Sequence, residues 1–348
     1  VTFSVSIITF CIGSVTSGAI LKKRPPSNII LLSAILFLIG FYSASRITSI
    51  WGLYISYGVL CGFGVGLSYN AILSTVPKWY SGSSGFVTGT LLMGMGLGGL
   101  ILGAIVKRLM DTLTWILTFK LLSVVFFAVF LLLSFQIKNP EEKSEAITKQ
   151  YDTKQYTLPE MLRTKDFWMI FTWSTIASSI GLGIVSSVSY MAIEAGVTEI
   201  MLPLVAGMAS IGNGVGRLAF GTMADRINGK KAMNISNIVF IVGFLLSIFA
   251  NKLGIIIFLA LGFILGGMGY GSAPTLAAAI AKIRFGEKYY PQNLSVMVIV
   301  LIPASLIGPV ISSNAYERFG SYMTAYYIMM GMALLAFLPV VLYREKQT

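Results

Sequence analysis

The sequence predicts an all-α protein that crosses a membrane many times. Of its 348 residues, 56% are hydrophobic and 11% are charged, whereas soluble domains carry about 25% charged residues. Apolar runs of roughly 20 residues recur along the whole chain, and each is long enough to cross a hydrocarbon core of about 30 Å as a helix. Polar breaks separate these runs, so we expect a polytopic helical membrane protein.

Apolar runs and polar breaks divide the chain into eleven predicted spans. They cover about 1–21, 28–44, 50–76, 85–106, 113–136, 166–191, 199–223, 232–250, 253–281, 293–316 and 321–343. Because eleven is odd and the chain starts without Met inside an apolar run, we expect that a first span is missing from this sequence. A cleaved signal peptide is the alternative, although the first run is of full length and ends in the basic anchor "LKKRPPS".

Basic residues are distributed unequally between the two sides of the predicted membrane. The loops on one side carry 18 Lys and Arg residues, and the loops on the other side carry 5, which are Arg46, Lys107, Arg108, Lys252 and Arg318. The positive-inside rule therefore places the long central loop and the C-terminus in the cytoplasm, and we expect a plasma (inner) membrane protein. This bias accounts for the net charge of +12, so no nucleic-acid partner is implied.

One long polar stretch, Lys138 to Lys165, separates five spans from six. It predicts an N-terminal transmembrane half (1–137), a cytoplasmic linker (138–165) and a C-terminal transmembrane half (166–348). With one restored span the layout becomes six plus six, which is typical of two pseudo-symmetric halves.

A weak internal repeat supports the two halves. "GAILKKR" from Gly18 returns as "GTMADRI" from Gly221, an offset of 203 residues, and "GFGVG" ending at Gly66 returns within "GGMGYG" ending at Gly271, an offset of 205. A nearly constant offset with equal orientation indicates parallel halves, an arrangement that alternating-access carriers use.

Arg217 is the main candidate for a functional residue. It lies eight residues before Asp225 in the sequence, which places it roughly 12 Å deep at about 1.5 Å per residue. Burial of a guanidinium at that depth costs from about 2.5 kcal/mol upward. All 13 Asp and Glu residues fall in loops or at span ends, so the predicted partner is an anionic ligand unless the missing span supplies a carboxylate. A structural role is the alternative.

Three polar residues are predicted to lie at a similar depth. Tyr69 and Tyr270 are both flanked by glycines, which allow close helix packing, and a phenol can donate a hydrogen bond to an anion. Packing alone would also explain both tyrosines. Asn213, one helical turn before Arg217 and on the same face, is predicted to orient the guanidinium or to bind the substrate.

The stretch "GRLAFGTMADRINGKK" resembles the loop signature of the major facilitator superfamily, Gly-x-x-x-Asp-Arg-x-x-Gly-basic-basic. The matching residues are Gly221, Asp225, Arg226, Gly229 and Lys230. The resemblance implies the major-facilitator fold, with this motif acting in gating. The first-half copy, "GAILKKRPPSN", lacks the aspartate. We expect Asp225 to cap the start of the fifth span of the full fold, near Gly85, when the cytoplasmic side is closed.

The stretches "LYISYGVLCGFGVGLSYN", "GNGVGR" and "RFGEKYYPQN" resemble the oxalate:formate antiporter family and the related monocarboxylate carriers. The resemblance implies that Tyr69 and Tyr270 line a central substrate cavity and that Arg217 binds a carboxylate. Oxalate exchangers of this kind carry a second cation, a lysine, at the position aligned with Leu301. An apolar residue there favours a monoanion over a dianion.

The resulting prediction is a secondary transporter, not an enzyme, that moves small monocarboxylates such as formate, lactate or pyruvate by alternating access. An oxalate:formate exchanger, a proton-coupled drug exporter and a transport-inactive sensor are the alternatives. The expected partners are the carboxylate, the lipid bilayer and either a proton or a counter-anion, and the protein is expected to be a monomer. No cofactor or metal is expected, because the chain has no histidine and its cysteines, Cys11 and Cys61, lie in apolar runs.

Overall fold

The apolar runs form long helices in the structure, a computed structural model that describes residues 2–80, 82–140 and 154–343. No β-strand occurs within those residues. In chain order the helices are α1 Thr2–Ile20, α2 Pro26–Ala44, α3 Ile50–Trp79, α4 Ser84–Thr112, α5 Trp115–Gln136, the short α6 Leu158–Leu162, α7 Lys165–Glu194, α8 Leu202–Arg226, α9 Gly229–Leu253, α10 Ile256–Phe285, α11 Tyr290–Phe319 and α12 Met323–Leu342.

The eleven long helices coincide with the eleven predicted spans. Among the described residues, ten of them are long and apolar enough to cross a membrane. The remaining long helix is α8, whose glycine-rich sequence contains Asn213 and Arg217. The prediction of an all-α, polytopic membrane protein is therefore confirmed, and the candidate arginine lies on the long helix that is not among those ten.

Side-chain caps explain where several helices begin. The hydroxyl of Thr114 accepts a hydrogen bond from the N–H of Leu117 at the start of α5, and the amide oxygen of Asn228 accepts one from the N–H of Lys231 at the start of α9. Such caps satisfy N–H groups that have no partner within the helix. Helix α9 therefore begins at a polar residue of a predicted loop, whereas the cap of α5 is the second residue of the predicted span 113–136.

Helix α3 is not a uniform α-helix. Residues Tyr54–Cys61 form a π-helix, in which each turn is wider than an α-turn. The hydroxyl of Thr9 on α1 donates to the carbonyl oxygen of Gly58 inside this segment at 2.7 Å. The neighbouring helix thus stabilises the widened turns, and nothing in the sequence predicted them.

The described chain forms two compact units. Unit 1 comprises Val1–Ser81, Leu102–Met161 and Ala281–Ile302, and unit 2 comprises Gly82–Ile101, Leu162–Ile280 and Pro303–Thr348. The predicted halves 1–137 and 166–348 come from the long polar stretch between them and from the internal repeat, not from contacts, and they stay a prediction.

Unit 1 is built around α1, α2 and α3. Helix α1 packs against α3 and against the first turns of α11, and α2 packs against α3 and α5. One core cluster contains Ile29, Ile30, Leu67 and Ala71. A second cluster of Phe10, Cys11 and Val298 lies where α1 meets α11.

The end of the predicted linker is bound to unit 1. The N–H of Tyr156 donates to the carbonyl oxygen of Phe285 at 2.9 Å, and the amide of Asn293 donates to the carbonyl oxygen of Tyr156 at 3.1 Å. The Gln155 side chain accepts from the N–H of Lys288 at 3.1 Å. Gln155 and Tyr156 therefore hold the turn between α10 and α11. The part of the linker at 141–153 lies outside the described residues.

Unit 2 is built mainly from α7, α8, α9 and α12. Helix α7 packs against α8 and α12, and α9 packs against α12. Large aromatic side chains fill its interior, including Trp173, Phe240 and Tyr326. The indole N–H of Trp173 donates to Asn237 at 3.0 Å, so a polar atom buried in this core has a partner.

Candidate functional site

Arg217 lies within unit 2 on α8 and is 6% exposed. Its Nε donates to Oδ1 of Asn213 at 3.0 Å, and its Nη1 donates to the carbonyl oxygen of Leu92 on α4 at 3.2 Å. Both acceptors are neutral oxygens. These two hydrogen bonds orient the guanidinium from two directions without adding a negative charge.

Close helix packing places the backbone of α8 beside two glycines of its neighbours. A side chain at Gly89 on α4 would lie 2.5 Å from the carbonyl oxygen of Arg217, and one at Gly271 on α10 would lie 2.9 Å from its N–H nitrogen. Any Cβ at these positions would push the helices apart. The glycines therefore determine how closely α4 and α10 approach the arginine.

Tyr270 lies beside Arg217 in the same unit. Its phenol is within electrostatic range of the guanidinium, and its ring lies directly on Gly181 of α7, where any side chain would overlap it. The ring is thereby fixed against α7. Unit 2 thus brings together three of the predicted substrate-binding residues, Asn213, Arg217 and Tyr270.

The other two predicted residues, Tyr69 and Leu301, lie in unit 1. Both pack against the cluster of Phe10, Cys11 and Val298. The Tyr69 ring meets the Phe10 ring edge to face, with centroids 5.1 Å apart. Leu301 therefore lies among apolar side chains in unit 1, and its role and that of Tyr69 in substrate binding stay predictions.

Asp225 makes the contact that its position in the motif led us to expect. Its two carboxylate oxygens accept hydrogen bonds from the N–H groups of Gly85 and Phe86, each at 2.8 Å. These N–H groups belong to the first turn of α4, where the helix dipole favours a negative charge. Gly221, one turn earlier on α8, packs directly against Gly85. The role of this contact in gating stays a prediction.

The remaining motif residues lie at the junction of α8 and α9. Arg226 is the last residue of α8 and is exposed, and Gly229 is the first residue of α9 and is buried. The Nζ of Lys230 donates to the carbonyl oxygens of Val341 and Tyr343, at 3.0 and 3.1 Å. Lys230 thus caps the C-terminal end of α12, where a cation is favourable.

Sequence reasoning missed the contributions of α4 to the site. Leu92 acts through its backbone carbonyl, which every residue type possesses, so no residue pattern could have indicated it. Gly89 could have been found, because it belongs to the glycine-rich segment "GTLLMGMGLGG" that packs against α8.

Comparison with known proteins decides the family. The family model described as Major Facilitator Superfamily matches residues 1–193 and 174–348. The chain belongs to the Major Facilitator Superfamily. It is similar to the oxalate:formate antiporter of Oxalobacter formigenes, with 24% identity over 323 residues that cover 92% of this chain and 76% of the antiporter. It is also similar to human monocarboxylate transporter 10, with 23% identity over 86% of this chain and 62% of that protein.

Solved structures of the superfamily share the fold. The E. coli fucose:proton symporter FucP superposes with a TM-score of 0.71 at 16% sequence identity, covering 99% of this chain and 90% of the symporter. The human organic anion transporter MFSD10 superposes with a TM-score of 0.72 at 15% identity, covering 97% of this chain and 82% of that one. The protein is therefore an integral membrane transporter with the major-facilitator fold, and not an enzyme.

Proposed function

We propose that this transporter carries small monocarboxylates by alternating access and that Arg217 binds the carboxylate. The observation that carries the proposal is the position of the guanidinium, which is 6% exposed and nine residues from the Arg226 end of α8, or about 14 Å at 1.5 Å per residue. A cation at that depth is costly, and an anionic substrate offsets the cost through two parallel, charge-assisted hydrogen bonds.

Two neighbours prepare Arg217 for this role. Asn213 fixes Nε at 3.0 Å, so the flat guanidinium has a defined orientation before the substrate arrives. Tyr270 interacts electrostatically with the same cation, and we assign its hydroxyl a further hydrogen bond to the carboxylate. Preorganised donors of this kind lose little conformational entropy when they bind a ligand.

The proposed substrate is a monoanion because of Leu301. This position, which a lysine would occupy in an oxalate exchanger, packs against apolar residues of unit 1. A dianion held by Arg217 would carry a second charge into the protein interior, where an uncompensated charge is unfavourable by several kcal/mol. Monocarboxylates such as formate, lactate and pyruvate avoid this cost.

Uptake into proteoliposomes tests the proposal. Purified protein is reconstituted, and accumulation of radiolabelled formate and lactate is measured with and without the same anion inside. We expect the wild-type protein to take up the labelled anion and the Arg217→Gln variant not to do so. If an internal anion accelerates this uptake, the protein is an exchanger. The proposal would be overturned if no small monocarboxylate were taken up by a preparation whose cooperative thermal unfolding shows that the protein is folded.

An oxalate:formate exchanger is the second candidate, and its support is the similarity to the antiporter of that name. It differs in one measurable property, the uptake of oxalate against internal formate. We further propose that the protein is a monomer in the plasma (inner) membrane, with the linker and the C-terminus in the cytoplasm. The contact of Asp225 with Gly85 and Phe86 then closes the cytoplasmic side.

A further inference from the structure

Unit 1 contains a cavity at the junction of α2 and α3. None of the predicted substrate-binding residues lines it. Its volume is about 350 Å³, which lies at the lower end of the range of about 300–1,000 Å³ typical of small-ligand sites. One cation and several hydroxyl residues line it. They are Ser43, Arg46, Thr48, Ser49 and Ser56.

Arg46 lies two residues beyond the end of α2 and is held in place by Tyr42 of that helix. Its Nη2 donates to the hydroxyl of Tyr42, and its guanidinium lies over the Tyr42 ring at 4.7 Å from the centroid. A guanidinium has five N–H donors, of which this bond uses one. The cation is therefore positioned at the cavity while it retains donors for an oxyanion.

The hydroxyl side of the cavity is fixed by Gly52. The Ser49 hydroxyl accepts from the N–H of Gly52 at 3.3 Å, and the Ser56 hydroxyl donates to its carbonyl oxygen at 2.6 Å. The O–H of Ser56 is used in this bond, whereas Ser49 accepts in its bond with Gly52, so its own O–H can be donated to a ligand. A fixed guanidinium together with the Ser49 hydroxyl is a donor set that suits a carboxylate or a phosphate oxygen.

We propose that this cavity is an entry site that binds the carboxylate group of a small monocarboxylate before the anion reaches Arg217. The inference rests on the proposed function, because it assigns the same substrate class to a second site. Arg46 is exposed, so its attraction acts in high dielectric and raises the local anion concentration instead of holding the ligand tightly. The site therefore affects the KM of uptake and leaves the maximal uptake rate unchanged.

A phospholipid headgroup offers the same chemistry through its phosphate. The apolar residue Ile55, 60% exposed, also lines the cavity and could contact an acyl chain. Formate uptake in two kinds of vesicle distinguishes the two sources, one of zwitterionic phosphatidylcholine and one containing anionic phosphatidylglycerol. If the site binds the solute, loss of Arg46 changes uptake in both kinds of vesicle. If the site binds a lipid, loss of Arg46 changes uptake only where the anionic lipid is present.

The test compares Arg46→Gln with the matched control Arg318→Gln. Arg318 is an exposed cation of unit 2 at the end of α11, on the side of the membrane that the sequence predicts for Arg46 as well. Both variants lose one positive charge. We expect Arg46→Gln to raise KM for formate uptake roughly three- to tenfold at low ionic strength with kcat unchanged, and Arg318→Gln to change KM less than about twofold.

Three results would overturn the entry site. They are an unchanged KM in Arg46→Gln, an equal rise in both variants, or a rise confined to phosphatidylglycerol vesicles.

A binding measurement separates this inference from the proposed function. Trp51 is 71% exposed at the start of α3 and lies two residues from Ser49. Its fluorescence is measured while formate or lactate is added to the transport-inactive variant Arg217→Gln. The same variant with Trp51→Phe serves as the blank. We expect an Arg46-dependent change even though transport is lost. No such change would refute the entry site and would leave the proposed role of Arg217 standing.

Discussion

Two pairs of helices, α1 with α3 in unit 1 and α8 with α10 in unit 2, pack in the same way. In unit 1, a side chain at Gly66 would overlap the carbonyl oxygen of Phe10. In unit 2, a side chain at Gly271 would overlap the carbonyl oxygen of Asn213. Phe10 on α1 corresponds to Asn213 on α8, 203 positions later, and Gly66 on α3 corresponds to Gly271 on α10, 205 positions later. The internal repeat is thus expressed as a repeated backbone contact.

The side chains on this common framework differ. Where α8 has Asn213 and Arg217, α1 has Phe10 and Ser14. Phe10 packs edge to face on Tyr69, whereas Asn213 holds the arginine. Helix packing has therefore been repeated, but the cation is present in one copy only. The comparison indicates that the packing of the two pairs is a property of the fold and does not depend on the charge on α8.

The largest effect is expected at the position where the two pairs differ in charge. Arg217→Gln removes the cation, and we expect uptake of monocarboxylates to fall at least about 100-fold, because a charge-assisted bidentate contact is lost. Arg217→Lys keeps the charge but loses the planar fork, so it should also be strongly impaired. Initial rates in proteoliposomes measure both.

Ser14→Ala is the matched control, since Ser14 occupies the corresponding position on α1 and is fully buried. It should retain uptake within about threefold, because it removes a neutral hydroxyl. If Ser14→Ala were as inactive as Arg217→Gln, the contrast between the two helix pairs would be wrong.

The position where the two pairs agree should respond alike. Gly66→Ala and Gly271→Ala each force a methyl group against a backbone carbonyl, so each should destabilise the fold by about 1–3 kcal/mol. Gly331→Ala is the control, because a methyl group there meets nothing within 4 Å. Thermal unfolding in detergent measures the three. A stable Gly66→Ala beside an unstable Gly271→Ala would break the equivalence of the packing.

Asn213→Ala tests the second difference between the pairs. Loss of the hydrogen bond to Nε should leave Arg217 charged but less well oriented, and we expect KM for formate to rise roughly tenfold, in line with one lost bond to a charged group of about 1.5 kcal/mol. Asn213→Asp should inactivate the carrier, since a carboxylate at that position competes with the substrate for the guanidinium. Equal KM values in wild type and Asn213→Ala would remove Asn213 from the site.

The smallest effect is expected at Asp225. Asp225→Asn weakens the interaction of a carboxylate with the start of α4, which is worth about 0.3–2 kcal/mol. We expect labelling of a single cysteine placed at Thr222, in a background without Cys11 and Cys61, to become a few-fold faster. Glu194→Gln is the control, because Glu194 caps Tyr322 in a comparable way, at 2.7 Å, within the C-terminal half. Equal acceleration in both variants would argue against a gating role.

Several features of the molecule followed from the sequence because they depend on residue type. Apolar runs determined the spans, and the isolated arginine in "GNGVGR" determined the candidate site. Three other features depend on backbone atoms or on tertiary contacts, and residue patterns carry no signal for them. These are the carbonyl oxygen of Leu92 as an acceptor for Arg217, the π-helix Tyr54–Cys61, and the binding of Tyr156 to the turn between α10 and α11.

We propose that one cation, Arg217, selects a monoanion. The most direct test of this proposal is competition of unlabelled oxalate, formate and lactate against labelled formate uptake, in wild type and in Leu301→Lys. We predict that formate and lactate compete in the wild type and oxalate does not, and that Leu301→Lys gains oxalate competition while its monocarboxylate uptake weakens. Strong oxalate transport by the wild type, with Leu301→Lys merely inactive, would contradict this account.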